Sequence, residues 1–334
     1  MMKFSKMIFF LTMISGTIIT LSSYSWLSMW MGLEINLLSI IPLLKQNNNK
    51  FPSESAFKYF IVQSMASTMF LFSMILNMNL IEFISMNKIS LIILYSSILT
   101  KLGSAPFHAW FPEVIEGLDW INCILMLTWQ KIAPIIILMQ NLKLNYFIIM
   151  IIVLSSMLGS IIGMNQISMR KILAYSSINH IAWMISSMLS NKIIWMIYFI
   201  IYSIISITII MSLKMYKIFF IYQLSMLKNN NTLNLLFNMN FLSLGGLPPF
   251  LGFFPKWLTI NYLILTNNYF LTIMLILFTL IMLFIYTRIM FSSMTINSNT
   301  NYLKIENLNK NNLIMMNFLS LISLIFCPLM LNFI

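Results

Sequence analysis

The sequence predicts an all-α integral membrane protein of about eleven transmembrane helices. They form two inverted five-helix repeats, each with one broken helix, followed by a C-terminal helix. Three observations predict this. The 334 residues are 60% hydrophobic and only 8% charged, with a mean hydropathy of +0.91, whereas a water-soluble domain carries about 25% charged residues. Apolar runs of about 20 residues, the length that crosses a bilayer, recur along the chain. Two of those runs carry matching interruptions built from proline and glycine.

The spans are predicted at 4–22, 25–44, 56–77, 86–117 (broken), 120–140, 145–165, 171–190, 192–215, 233–264 (broken), 268–290 and 313–333. They must be helical, because lipid offers the backbone no hydrogen-bond partners. The start, "MMKFSKMIFFLTMISG", is basic and then apolar like a signal peptide. The apolar run continues to about Leu21 without an A-x-A cleavage pattern, so a retained first span is expected. Polar linkers such as "KQNNNKFPSES" (45–55), "KNNNT" (228–232) and "NSNTNYLKIENLNKNN" (297–312) separate spans, and 215–232 could form an interfacial helix. The expected division is 1–143 for the first repeat, 144–292 for the second, and 293–334 for a polar linker and the last helix.

Threading these spans places thirteen of the nineteen Lys and Arg residues on the side of the N-terminus and three on the other. The remaining three, Lys101, Lys131 and Lys256, fall inside spans. Because positive charge collects on the cytoplasm-like side, the N-terminus is expected in the matrix of a mitochondrion and the C-terminus in the intermembrane space. The net charge of +12 therefore reports orientation rather than nucleic-acid binding. A mitochondrial origin also fits the usage: 31 Met and 27 Phe, beside two Arg (Arg170, Arg288) and three Val (Val62, Val114, Val153), favour AT-rich codons. Two cysteines, Cys123 and Cys327, are too few for a cysteine-held iron–sulfur cluster, which takes four. His108 and His180 lack any surroundings that suggest haem.

The interruptions are "LGSAPFHAWFP" (102–112) and "LGGLPPFLGFFP" (244–255). Both read L-G, then P-F-x-x-aromatic-F-P, with one extra residue in the second. Proline stops each helix, and Gly103, Gly245 and Gly246 loosen the backbone. The copies lie in spans four and nine, five apart, so they run in opposite directions. Discontinuous helices at matching places in inverted halves are a feature of ion-moving folds. Glu113 of the first copy matches Lys256 of the second, while Ser243 stands where the first has Lys101.

Few charges are left inside the spans. Glu34, in "WMGLEINLLSIIP", lies about 14 Å along its helix from Ser25, and Lys131, in "TWQKIAPIII", about 16 Å from Trp120, at about 1.5 Å per residue. Both are near the centre of a core about 30 Å thick. Lys101 and Lys256 flank the two breaks. A charge at the centre costs at least about 2.5–3.5 kcal/mol, so four such groups point to work beyond packing. An amine kept from water exchanges protons near neutral pH more readily than one in water, and a nearby carboxylate opposes its discharge. Glu34 paired with Lys101 would form such a switch, Lys131 the relay and Lys256 the exit group. His180, in "AYSSINHIAWM", is either a further relay, with an unperturbed pKa of about 6.5, or a satisfied interior histidine. Ser104, Tyr175, Ser176 and Ser177 are candidate hydroxyls between them.

"WMGLEINLLSIIPLL", "KLGSAPFHAWFPEVIEGL", "TWQKIAP", "RKILAYSSINHIAWM" and "NFLSLGGLPPFLGFFPKW" resemble the antiporter-like membrane-arm subunits of respiratory NADH:ubiquinone oxidoreductase (complex I). The resemblance runs from the second span to about Trp257. It implies a proton-translocating subunit whose line of charge falls on Glu34, Lys101, Lys131 and Lys256, each in its own motif. It implies no redox centre in this chain, with NADH, FMN, iron–sulfur clusters and ubiquinone handled by other subunits. It further implies neighbouring membrane-arm subunits and phospholipids, cardiolipin among them, as partners in the mitochondrial inner membrane. Two other readings compete: a free-standing cation/proton antiporter, and a structural membrane subunit without a pump of its own.

Overall fold

The structure is a computed structural model that describes residues 4–45, 50–79, 86–141, 146–226, 231–248 and 250–294. The expected last span at 313–333, the linkers at 228–232 and 297–312 for the most part, and Cys327 lie outside the described residues. Within them the chain is all-α, with thirteen α-helices and one 3-10 turn. Among the described residues, seven segments are long and apolar enough to cross a membrane, with Trp120–Gln140 counted as one of them. The contacts divide the chain into two compact units, Met1–Ile151 and Ile152–Ile334.

The first unit holds α1 (Phe4–Ser22), α2 (Trp26–Leu44), α3 (Lys50–Asn79), α4 (Met86–Leu102), α5 (Trp110–Gly117), α6 (Trp120–Leu127) and α7 (Trp129–Asn141). Helix α2 starts where the Ser25 hydroxyl accepts the Ser28 N–H, which satisfies one of the first-turn donors. Glycine brings α1 and α2 into backbone contact: a Cβ on Gly16 would lie 2.9 Å from Asn36 N and 3.1 Å from Gly32 O. Small residues give membrane helices this close approach where lipid supplies no hydrophobic drive between them. The buried Thr17 and Thr20 hydroxyls donate to carbonyls of their own helix, so they add no unsatisfied group. Helix α3 packs on α2, α4 and α5, and α4 on α7.

The second unit is built from α8 (Tyr146–Met164), whose first turn lies in the preceding unit's sequence range, α9 (Met169–Ser190), α10 (Lys192–Tyr216), the 3-10 turn Ile221–Met226, α11 (Asn231–Gly245), α12 (Phe253–Leu265) and α13 (Tyr269–Met294). Helix α9 is buried on nearly every face from Ile172 to Ser187, as expected of a helix enclosed by others. Helices α8 and α9 repeat the close approach, since a Cβ on Gly159 would lie 2.9 Å from Tyr175 O and 3.0 Å from Asn179 N. Arg288 of α13 donates to Met164 O at 2.8 Å and Gln166 O at 3.2 Å, closing the C-terminal end of α8. Within the segment expected as an interfacial helix, Ile221–Met226 form a 3-10 turn whose lead-in is tied back by a bridge from Ser168 to Phe220.

One element departs from the sequence reading. The span 120–140 is not a single helix. It stops at Leu127 and restarts at Trp129, with Thr128 at φ −116°, ψ −70°. The Thr128 hydroxyl donates to Ile124 O at 2.7 Å, and Lys131 N bonds back three residues to Thr128 O at 3.2 Å. A hydroxyl competing for an in-helix carbonyl bends a helix in this way.

Candidate functional site: buried lysines at interrupted helices

Both breaks end in the same cap. After α4, Gly103 adopts φ +73°; its N–H bonds to Thr100 O at 3.2 Å and that of Ser104 to Leu99 O at 3.2 Å. After α11, Gly246 adopts φ +76°; its N–H bonds to Ser243 O at 3.1 Å and that of Leu247 to Leu242 O at 3.4 Å. These are Schellman caps, in which a left-handed glycine lets the backbone satisfy its own terminal carbonyls. Gly246 follows Gly103 by 143 residues, and α12 begins 143 residues after α5. Aligned on the caps, the second copy has no extra residue. The counterpart of Lys101 is then Leu244, not Ser243, because Gly246 rather than Gly245 takes the left-handed turn. Glu113 still matches Lys256.

In the first unit, Lys101 and Lys131 are buried, 8% and 2% exposed, and line one small cavity. Lys101 sits in the last turn of α4, the end of a helix that favours a cation. Lys131 sits in the first turn of α7, just past the break at Thr128, with its ammonium 5.6 Å from the centre of the Phe111 ring. Asn36, Tyr59, Gln63 and Gln130 line the same cavity. Asn36 and Gln130 exchange a reciprocal pair of amide hydrogen bonds at 3.1 and 2.9 Å, and the Tyr59 hydroxyl donates to Gln130 Oε1 at 3.3 Å. Gln63 donates to Lys101 O at 3.3 Å, and Trp110 Nε1 to Thr100 O at 3.1 Å, so the freed end of α4 is tied from two sides.

Glu34 stands on α2, two residues before Asn36. The expected direct pair is absent: no hydrogen bond or ion pair joins Glu34 to Lys101, and Glu34 Oε1 is buried without a hydrogen-bond partner.

In the second unit, Lys256 is 8% exposed and donates to Gly245 O at 2.8 Å, with its ammonium 6.0 Å from the centre of the Trp183 ring. His180 is buried and its Nδ1 lies 2.9 Å from the Tyr198 hydroxyl. It lines a cavity with Tyr198, Tyr202, Ser243 and Gly252. The candidate hydroxyls of Ser104, Ser176 and Ser177 each donate to a carbonyl of their own helix or its cap.

Sequence reasoning missed Asn36, Gln130, Tyr59 and Gln63. A signal existed for the first two: each is an amide in an apolar run, two residues after Glu34 and one before Lys131. Tyr59 and Gln63 carried none, since their helix is polar at its start.

These features define an all-α, antiporter-like membrane fold with ammonium groups buried beside interrupted helices. The chain belongs to the family described as NADH:quinone oxidoreductase/Mrp antiporter, transmembrane, which it matches over residues 23–283. It is 46% identical over 335 residues to NADH-ubiquinone oxidoreductase chain 2 of Anopheles gambiae, covering 98% of this chain and 95% of the relative. It is 45% identical over 339 residues to the same-named chain of Aedes aegypti, covering 98% of each. Its fold is similar to a chain of respiratory complex I from Thermus thermophilus, with TM-score 0.88, 22% identity, and 99% of this chain and 80% of that one covered. It is similar also to a chain of the Mrp complex from Dietzia sp., with TM-score 0.83, 12% identity, and 97% and 75% covered.

Proposed function

We propose that this chain is a proton-translocating membrane subunit of respiratory NADH:ubiquinone oxidoreductase, moving protons along buried charged groups while electron transfer proceeds in other subunits. The observation that carries this reading is the cavity that holds Lys101 and Lys131 together, in a chain of this family. Glu34 biases Lys101 through space, Lys131 takes up and releases the relayed proton, and Lys256 is the exit group, with His180 as a further relay beside Tyr198. Water in the shared cavity bridges Lys101 and Lys131. The chain itself carries no redox group; NADH, FMN, iron–sulfur clusters and ubiquinone belong to its neighbours.

The finer architecture belongs to the same reading. The chain crosses the mitochondrial inner membrane eleven times, with its N-terminus in the matrix and its C-terminus in the intermembrane space. Residues 1–143 and 144–292 are inverted repeats, and 293–334 add a linker and the last helix. The shared offset of 143 supports the repeat: it relates the two caps, and it also relates Gly16 to Gly159 and Asn36 to Asn179, which make the same backbone contact in each unit. Other membrane-arm subunits and phospholipids, including cardiolipin, cover its outer faces.

The test is Lys131→Met in the assembled enzyme in its native membrane. Methionine keeps an unbranched side chain, one atom shorter, and removes the exchangeable proton. The expected result is an assembly present at parental level with proton pumping coupled to NADH oxidation sharply reduced. Parental rate and parental protons per electron would overturn the assignment.

A further inference from the structure

The reciprocal amide pair of Asn36 and Gln130 is placed where the proposed path is least secured by ordinary helix structure. The helix ladder is interrupted at Thr128, so the start of α7, and with it Lys131, is not held by α6 alone. Gln130 is the residue directly before Lys131. Its amide engages Asn36 of α2 through both its donor and its acceptor, and its Oε1 also accepts from Tyr59 of α3. Three helices thus meet at one neutral group on the wall of the cavity that Lys101 and Lys131 share. Asn36 and Tyr59 are themselves buried, 3% and 4% exposed, so these bonds do not compete with bulk water and cannot be replaced cheaply.

The second unit supplies a natural comparison under the proposed repeat. At the offset of 143, Asn36 becomes Asn179 and Tyr59 becomes Tyr202, but Gln130 becomes Ile273 and Lys131 becomes Met274. Asn179 is equally buried, and its Oδ1 has no hydrogen-bond partner, while Ile273 is 57% exposed. The shared architecture therefore keeps the asparagine without needing the pair. The glutamine is present where the central lysine is present.

We propose that Gln130 is a positioning residue for proton transfer between Lys101 and Lys131: clasped by Asn36 and Tyr59, it fixes the start of α7 and so sets where the Lys131 ammonium enters the shared cavity. A carboxamide suits this task because it holds geometry without carrying a charge that would pin the ammonium as a permanent ion pair. The inference rests on the proposed function above.

The test uses the assembled enzyme in membranes, reading assembly on native gels and proton pumping coupled to NADH oxidation. Gln130→Leu and Asn36→Leu are each expected to assemble and to slow coupled turnover about tenfold, since misplacing a transfer group by about 1 Å costs up to about 10²-fold. The exchanged pair Asn36→Gln with Gln130→Asn keeps the total length and both bonds, and is expected to recover most of the rate. A Gln130→Leu enzyme that pumps at the parental rate, or an exchanged pair as slow as Gln130→Leu, would overturn the inference. Should the leucine variants fail to assemble, Tyr59→Phe decides with the exchanged pair: it removes one oxygen, and a parental coupled rate there counts against the clasp. Lys131→Met, measured alongside, separates the two claims. Loss in Lys131→Met with parental pumping in Gln130→Leu sinks the inference alone, whereas parental pumping in Lys131→Met sinks the function and the inference together.

Discussion

The ammonium of Lys256 donates to the carbonyl of Gly245 at 2.8 Å, bridging the gap between the end of α11 and the first turn of α12. A cation in the first turn of a helix opposes the helix dipole, and at the last carbonyls of another it follows it. Reaching back across the break exchanges the unfavourable end for the favourable one. The lysine is thus part of the break's structure as well as a charge beside it.

This contact predicts the effect of Gly246→Ala. A Cβ there would lie 2.8 Å from Lys256 Cδ and 3.0 Å from its Nζ, on a backbone at φ +76°. The left-handed conformation costs a non-glycine residue about 1–2 kcal/mol, and the lysine must leave Gly245 O to make room. The expected outcome is an assembled complex with a lower thermal midpoint and weakened coupling of pumping to NADH oxidation. Gly245→Ala is the control: its Cβ comes no nearer than 3.3 Å to Tyr286 Cδ2, so the loss of thermal midpoint should be smaller.

Gly252→Ala should be more severe than either. Its Cβ would fall 1.7 Å from Ser243 O, a backbone atom of α11 that no rotamer change can move. Helix α12 would have to back away from α11, disrupting the second break entirely. Native gels of solubilised membranes should show the complex depleted of this chain; normal assembly would contradict the closeness of the two helices.

Arg288→Ala removes both donors that close the end of α8. The carbonyls of Met164 and Gln166 lose charge-assisted bonds, each of a kind that contributes about 1.5–3 kcal/mol. Thermal unfolding of the complex should begin at lower temperature, and Arg288→Lys, which offers a point charge rather than a fork, should restore only part of the difference.

Trp110→Phe tests the tie on the end of α4. Phenylalanine retains an aromatic ring against Tyr59, whose ring centre lies 5.8 Å away, and loses only the bond to Thr100 O. A loss of about 1 kcal/mol is expected, read as a small drop in thermal midpoint with assembly intact.

What was legible in the sequence followed from solvent and punctuation. Lipid forces helices, so apolar runs gave the elements, and Ser25, Gly103 and the prolines marked where several of them start and stop. The buried lysines stood out because so few charges remained. The break at Thr128 was hidden because threonine is unremarkable inside an apolar run, and only the Oγ1 bond to Ile124 O reveals its effect. The register of the second break was shifted by one residue because Gly245 and Gly246 are indistinguishable until one of them adopts positive φ. The amide clasp was invisible for a different reason. Asn36 and Gln130 are 94 residues apart, and nothing local in either segment says that they meet.

The two Schellman caps carry a consequence for biogenesis. Each is made within about six consecutive residues, so each discontinuity is encoded before the chain meets any neighbour. Helix α5 has eight residues and α12 thirteen, both short of the roughly 20 that a lone span requires. An insertase therefore cannot release either piece into lipid as a finished crossing. Each piece comes to rest only against the helices packed around it, which makes the order of synthesis part of how these broken spans are completed.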